Sequence, residues 1–224
     1  MQIDVAYRPA HSLARVALQP GESVVAESGA MVGMSPNVQM QTQAGGLMSG
    51  LKRMFGGESF FRNTFTAQNG PGEVLFAQSL CGDMAILDMT ANGYMIQSGS
   101  YICCTPNVNI ETKVGGFRTF FAGEGVFVLK ATASGPGQVL VGAFGGIEQL
   151  TCDGNMVIDT GHLVAWDSTL TFKVGKSASG WIASFLSGEG LVCHFEGQGR
   201  IWIQSRNPVG YGRDIGQMLP PRRG

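Results

Sequence analysis

The sequence predicts an all-β protein made of three tandem sandwich-type repeats, each rolled like a double-stranded β-helix and carrying a short helical excursion. Three observations lead there. The stretch GPGEVLF at 70–76 returns as GPGQVLV at 135–141 and, more weakly, as GQGRIWI at 197–203. The 34 glycines of the 224-residue chain stand at turn-like positions between short apolar runs, not in one flexible tract. Charged residues make up only 14%, against about 25% in an ordinary soluble domain, so surface is either hidden or apolar and association is expected.

The echo extends beyond the turn. SGAMVGMSPNVQMQTQAGG runs from Ser28 to Gly46 and SGSYICCTPNVNIETKVGG from Ser98 to Gly116. In both, Pro-Asn-Val begins seven positions after the leading glycine (Gly29, Gly99), and a Gly-Gly pair begins sixteen after it. TGHLVAWDSTLTFKVGKS, from Thr160 to Ser177, keeps the opening at Gly161 and the alternation but drops the proline. Downstream, GGLMSGLKRMFGGE, GGFRTFFAGE and SGWIASFLSGE place Glu58, Glu124 and Glu189 in corresponding positions, 66 and 65 residues apart. The turn glycines Gly72, Gly137 and Gly199 complete this framework. Insertions concentrate between landmarks, as in hairpin loops. The organisation expected is an N-terminal strand segment (1–20), β repeats at 21–90, 91–152 and 153–207, and a tail at 208–224, with the repeats packed as one compact unit.

Each element follows from its pattern. VLFAQSL, DMAILDM, FVLKATA, LTFKV and RIWIQS are short runs rich in β-branched and aromatic residues, punctuated by Gly, Pro, Asn and Asp, and read as strands. MVIDTGHLVAWD alternates, one face in and one out. VLVGAF and IWI are apolar on both faces, as in strands covered on both sides. Before the first Gly-Glu, Leu47, Leu51, Met54 and Phe55 fall at helical spacing, with Met48 beside them and Lys52 and Arg53 turned away. The tail NPVGYGRDIGQMLPPRRG reads as irregular, or as a strap onto a neighbour. The glycines of the GPG and GEG triplets read as turn residues needing positive φ.

A repeat of about 65 residues has little core for its surface and leaves bare sheet edges. Packing side by side pairs those edges, yet three copies in one chain still leave two terminal ones. A cyclic oligomer closes them.

Composition narrows the function. Net charge is −1 with acids and bases interspersed, so no basic footprint for nucleic acid is expected. Cys81, Cys103, Cys104, Cys152 and Cys193 are odd in number and lack metal-ligand spacing, and the N-terminus does not read as a signal peptide. A cytoplasmic location is the expectation. No uninterrupted apolar run reaches 18 residues, so no membrane-spanning helix is expected. G-x-S-x-G and G-x-x-x-x-G-K-[ST] are absent, and His11, His162 and His194 form no H-x-H pair. Cys103 and Cys104, adjacent in a strand, point to opposite faces and predict one buried and one exposed thiol, or else a strained vicinal disulfide. Glu58, Glu124 and Glu189 recur by repeat, which suits turn capping or pairing across a boundary better than acid–base chemistry. The segment Leu47–Phe55 reads as a helix packed on the β core or a subunit neighbour, or as a short interfacial helix facing a membrane.

SGAMVGMSPNV, GGLMSGLKRMFGGESFF and the GPG-x-V-L turns resemble the widespread, largely uncharacterised bacterial family related to the yeast "altered inheritance of mitochondria" protein, over roughly residues 3–207. That family shares a fold like the tryptophan RNA-binding attenuator protein. The resemblance implies three attenuator-like β units per chain and, in a homotrimer, nine units in a closed ring. It implies no catalytic residues, cofactor or metal. The expected function is a non-catalytic, ring-forming scaffold or adaptor whose partners are itself and a protein or membrane surface. The alternative is a small-ligand module using crevices between the β repeats.

Overall fold

The computed structural model describes residues 1–43, 62–112, 127–176 and 191–220. In chain order the strands are β1 (Gln2–Ala6), β2 (Leu13–Leu18), β3 (Ser23–Glu27), β4 (Met31–Met34), β5 (Val38–Gln43), β6 (Arg62–Ala67), β7 (Gly72–Phe76), β8 (Met84–Asp88) and β9 (Tyr94–Gln97). They continue with β10 (Tyr101–Cys104), β11 (Val108–Thr112), β12 (Val128–Ala133), β13 (Gln138–Gly142), β14 (Ile147–Asp159), β15 (Leu163–Asp167), β16 (Thr171–Lys176) and β17 (Leu191–Gln204). One helix, α1 (Pro208–Met218), follows. The described residues are all-β as the sequence predicts, apart from α1 and the 3-10 turns at Ser98–Ser100 and Thr160–His162; the expected helical excursion lies outside them.

Four antiparallel pairings recur in order. The first group has β2–β7, β3–β6, β4–β7 and β5–β6. The second has β8–β13, β9–β12, β10–β13 and β11–β12. In the third, β14 pairs β17 along its whole length, while β15 and β16 pair separate halves of β17. These long strands run on where the other groups turn, through Gly154 and Gly197, which face each other at φ 109° and 113°. Only glycine takes such values without strain.

Two further pairings stitch the groups together, β3 with β10 and β9 with β15. Each complete sheet therefore takes strands from two groups. One is ordered β5-β6-β3-β10-β13-β8. The next is β11-β12-β9-β15-β17-β14 with β16 also on β17, and the first group leaves a four-stranded sheet, β1-β2-β7-β4. Covering on both sides explains the apolar run at β13. Leu140 lies in a core with Val16, Phe65 and Phe76, whereas Val139 and Val141 lie in another with Tyr94 and Ile96. All three are fully buried, each contributing about 1.5–3 kcal/mol.

The framework glycines of the turns have a steric reason. A Cβ on Gly72 would stand 2.7 Å from Val38 Cγ2, and one on Gly137 2.7 Å from Thr105 Oγ1. Neither has positive φ, so the expected turn role gives way to close approach by side chains from earlier in the chain.

Three further expectations are corrected. MVIDTGHLVAWD is not one alternating strand. A 3-10 turn at Thr160–His162, capped by the Asp159 side chain accepting from Gly161 N, separates β14 from β15, and Leu163–Trp166 are buried on both faces. Cys103 and Cys104 are both buried with free thiols. Their strand lies inside the six-stranded sheet with core on either side, and the register skips a residue between Tyr101 and Cys103. Burial pushes both thiols up, Cys104 to about 11, so neither supplies a thiolate near neutral pH. The tail, expected to be irregular, forms α1. Asn207 accepts from Val209 N and Gly210 N at 2.9 and 3.2 Å, with Pro208 at the first helical position, a favourable start.

Candidate functional site: open sheet edges and an intergroup cleft

The two internal junctions share one register. At β3–β10, Cys103 faces Ala26 and Cys104 faces Val25. At β9–β15, Ala165 faces Ile96 and Trp166 faces Met95. The corner glycines Gly29, Gly99 and Gly161 align these positions across the groups. Four residues before each lie Val25, Met95 and Val157, and five residues after lie Met34, Cys104 and Trp166. The second junction is also bolted by Arg200. Its guanidinium donates to both Asp167 oxygens at 2.9 and 3.0 Å and to Tyr94 Oη at 3.1 Å, while stacking 5.0 Å from the Trp202 ring.

The same two strand positions stay open at the ends of the chain. β4 ends the four-stranded sheet, and β14 ends the last sheet beyond β17. Val32 is 57% exposed and Met34 42%, whereas Ile102, Val164, Cys104 and Trp166 at the matching places are 0–2% exposed. Val157 is 55% exposed, against 8% for Met95. Among the described residues these are apolar side chains on unpaired edges, the arrangement that soluble proteins ordinarily blunt with charge or proline.

A cleft of about 330 Å³ lies between the first and second groups. The corner Glu27–Ala30 forms one wall and Ser100–Ile102 another, with Gln78, Leu80 and Phe144 completing it. Gln78 Nε2 donates to Ala143 O at 2.6 Å across the floor. Gly142 makes room for that amide, since a Cβ there would meet Gln78 Oε1 at 1.8 Å. Glu27 occupies the position two before the corner glycine. Its counterparts are committed, Gln97 to Ser100 Oγ and Asp159 to Gly161 N. Glu27 has no such partner among the described residues, and burial pushes its carboxyl up to about 7.

A raised carboxyl pKa means that the folded chain holds the proton more tightly than the unfolded one. Its contribution is therefore greatest below about 4.5 and is lost as pH rises toward 7. Glu27→Gln is expected to raise stability at pH 8 by about 1–2 kcal/mol, discounted for partial exposure. Thermal melts across pH 4–8 check this: the variant loses the part of the wild-type decline lying between pH 4.5 and 7.

Among the residues singled out by sequence, Gly29, Gly99 and Gly161 stand at the corners that bound the junctions. Gly72, Gly137 and Gly199 are closely approached by side chains from earlier in the chain, Val38, Thr105 and Leu170. Leu47, Met48, Leu51, Lys52, Arg53, Met54 and Phe55, together with Glu58, Glu124 and Glu189, lie outside the described residues. His11, His162 and His194 are not brought together. His162 Nδ1 hydrogen-bonds Gln204 O at 2.7 Å, and the described residues contain no group of three His, Cys, Asp or Glu placed to hold a metal. No helix among them is long and apolar enough to cross a membrane. Sequence reasoning missed Glu27 and Gln78. The available signal was Glu27, Gln97 and Asp159, each polar and two residues before a corner glycine.

Comparison with known proteins matches this architecture. The model of the mitochondrial biogenesis AIM24 family matches residues 3–206. An uncharacterized protein of Streptococcus pyogenes serotype M6 is 30% identical over 219 residues, covering 93% of this chain and 87% of the relative. A crystal structure of a Streptococcus pyogenes protein superposes with a TM-score of 0.82 at 27% identity, over 97% of this chain and 99% of that one.

Proposed function

The chain belongs to the mitochondrial biogenesis AIM24 family, and from that premise we propose that it is a non-catalytic scaffold assembling head to tail into a closed homotrimeric ring. Its units are the three pairing groups, 13–76, 84–142 and 147–204. In the ring, β14 of one copy takes β4 of the next, with Val157 opposite Met34 and Ile158 opposite Gly33, repeating the register of both inner junctions. The half-sheet β16-β17-β14 then continues into β4-β7-β2-β1. Such a contact uses two different surfaces, so it closes into a ring or runs on as a filament. Closure at nine units follows the resemblance to the attenuator fold.

The observation that carries this reading is the exposure of Val32 and Met34, whose counterparts are buried at both inner junctions, and of Val157, whose counterparts are the buried Met95 and the half-buried Val25. A trimer presents every outer surface three times, so weak contacts of Leu47–Phe55 with a protein or membrane face gain by avidity. The cysteines, all free thiols, suit a reducing, cytoplasmic setting. Light scattering on the size-exclusion peak tests the assembly. Three times the 23.7 kDa chain mass is expected, and a stable single chain overturns the proposal.

The cleft beside Glu27 supports a second reading, a small-ligand module working between the units. Its volume falls at the lower end of ligand pockets.

A further inference from the structure

We propose that the cleft between the first and second groups binds a small organic cation, a primary ammonium or guanidinium whose head group pairs with Glu27 and whose apolar body lies against Leu80, Ile102 and Phe144. This rests on the small-ligand reading and is independent of ring closure.

The polar atoms around the cleft define the charge of its occupant. Gln204 is spent twice, accepting from Phe144 N and donating to Gly161 O at 2.8 Å each. Ser100 Oγ donates to Gln97 Oε1, and Ser28 Oγ accepts from Asn63 Nδ2. The Gln78 amide nitrogen is taken by Ala143 O. Among the described residues this leaves the two Glu27 oxygens and Gln78 Oε1 as acceptors without a partner, with the Ser79 hydroxyl and the Gln97 amide nitrogen also uncommitted beside them. Glu27 is the one charged side chain among the described residues of the lining, and a half-buried carboxylate without a partner is costly, which selects a donor-rich, positively charged head group. No lysine or arginine lines the cleft. Arg62 stands opposite Glu27 in the β3–β6 register, and burial alone accounts for the shift of the Glu27 carboxyl. The remaining lining is small or apolar, with Gly29, Gly99 and Gly142 keeping the space open.

Affinity gains a pH signature from the same geometry. Arg62 stands opposite Glu27 across the strand pair, and on the neighbouring strand the Tyr101 hydroxyl donates to Val25 O. Burial holds the free carboxyl protonated up to about 7, so a cation displaces that proton and binds more tightly at pH 8 than at pH 6.

Three probes with one chain and different heads test the assignment: n-hexylamine, 1-hexanol and hexanoate, each titrated calorimetrically into the full-length protein at pH 6 and pH 8. The amine is expected to bind, more tightly at pH 8, and Glu27→Gln to weaken it about tenfold to a hundredfold. Gly99→Phe is expected to abolish it by filling the cleft, since a Cβ at Gly99 meets nothing within 4 Å. Circular dichroism on both variants separates lost binding from lost folding. Hexanol or hexanoate binding as well as the amine, with Gly99→Phe blocking all, overturns the cation assignment and leaves the ligand reading standing. No binding by any probe at 10 mM, about the weakest range calorimetry resolves for such affinities, overturns both. The ring stands or falls separately, on its mass.

Discussion

Val157→Lys purifies as a single chain, and the double variant Met34→Glu, Val157→Lys regains the assembly. Val157 is 55% exposed in the isolated chain, so a lysine there is solvated and the fold is undisturbed. In the ring the same position lies opposite Met34 within the joined sheet, at the place that the buried Met95 and the half-buried Val25 hold in the inner junctions. An ammonium buried there without a partner costs several kcal/mol at each of three junctions. A glutamate directly across the strand pair supplies the missing charge, and opposite charges on facing residues contribute favourably. Rescue by the charge pair depends on register. A surface mutation acting only through general solubility is not rescued, so light scattering on single and double variants separates the two causes.

Trp166→Ala is the most destabilising single change expected within the chain. Trp166 is fully buried on β15, packed edge-on against Phe172 and Phe195 at centroid distances of 4.9 and 5.6 Å, and it faces Met95 across the second junction. Removing a buried aromatic of this size costs about 3–5 kcal/mol, a large part of the roughly 5–15 kcal/mol that holds a domain folded. Urea denaturation followed by far-ultraviolet circular dichroism reads it as a lower midpoint at unchanged slope. Trp166→Phe is expected to lose much less. It keeps most of the ring contacts and removes an indole N–H that has no hydrogen-bond partner among the described residues.

How much of this the sequence discloses depends on whether a feature is local. The strands at 128–133, 138–142 and 171–176 announce themselves through β-branched runs between turns. Val139–Val141 betray burial on both faces. Other features are set by partners far away in the chain. Nothing within YICC says that Cys103 will face Ala26 of the preceding group and Leu140 of its own, so the alternation rule wrongly exposes one thiol. In MVIDTGHLVAWD the alternation ends where β15 enters between β9 and β17. The helix at 208–218 was hidden by its glycines, although Asn207-Pro208 is a good start signal. Glu27 was hidden differently. Its sequence neighbours mark it as a strand end, and only the meeting of two groups encloses it beside Gln78 and Phe144.

Register between chains can be read directly. With Cys81 replaced by serine, since it is the exposed thiol, Met34→Cys and Val157→Cys are introduced together and the protein is oxidised mildly. Facing residues of an antiparallel pair have Cα atoms about 4.5–5.5 Å apart, within the span of a disulfide. The head-to-tail ring predicts a ladder on a non-reducing gel that ends at three chains and collapses on reduction, with no ladder from a Met40→Cys, Val157→Cys control. A chain that stays monomeric on the gel, or a control that links equally well, contradicts the pairing of β4 with β14 on which the account depends.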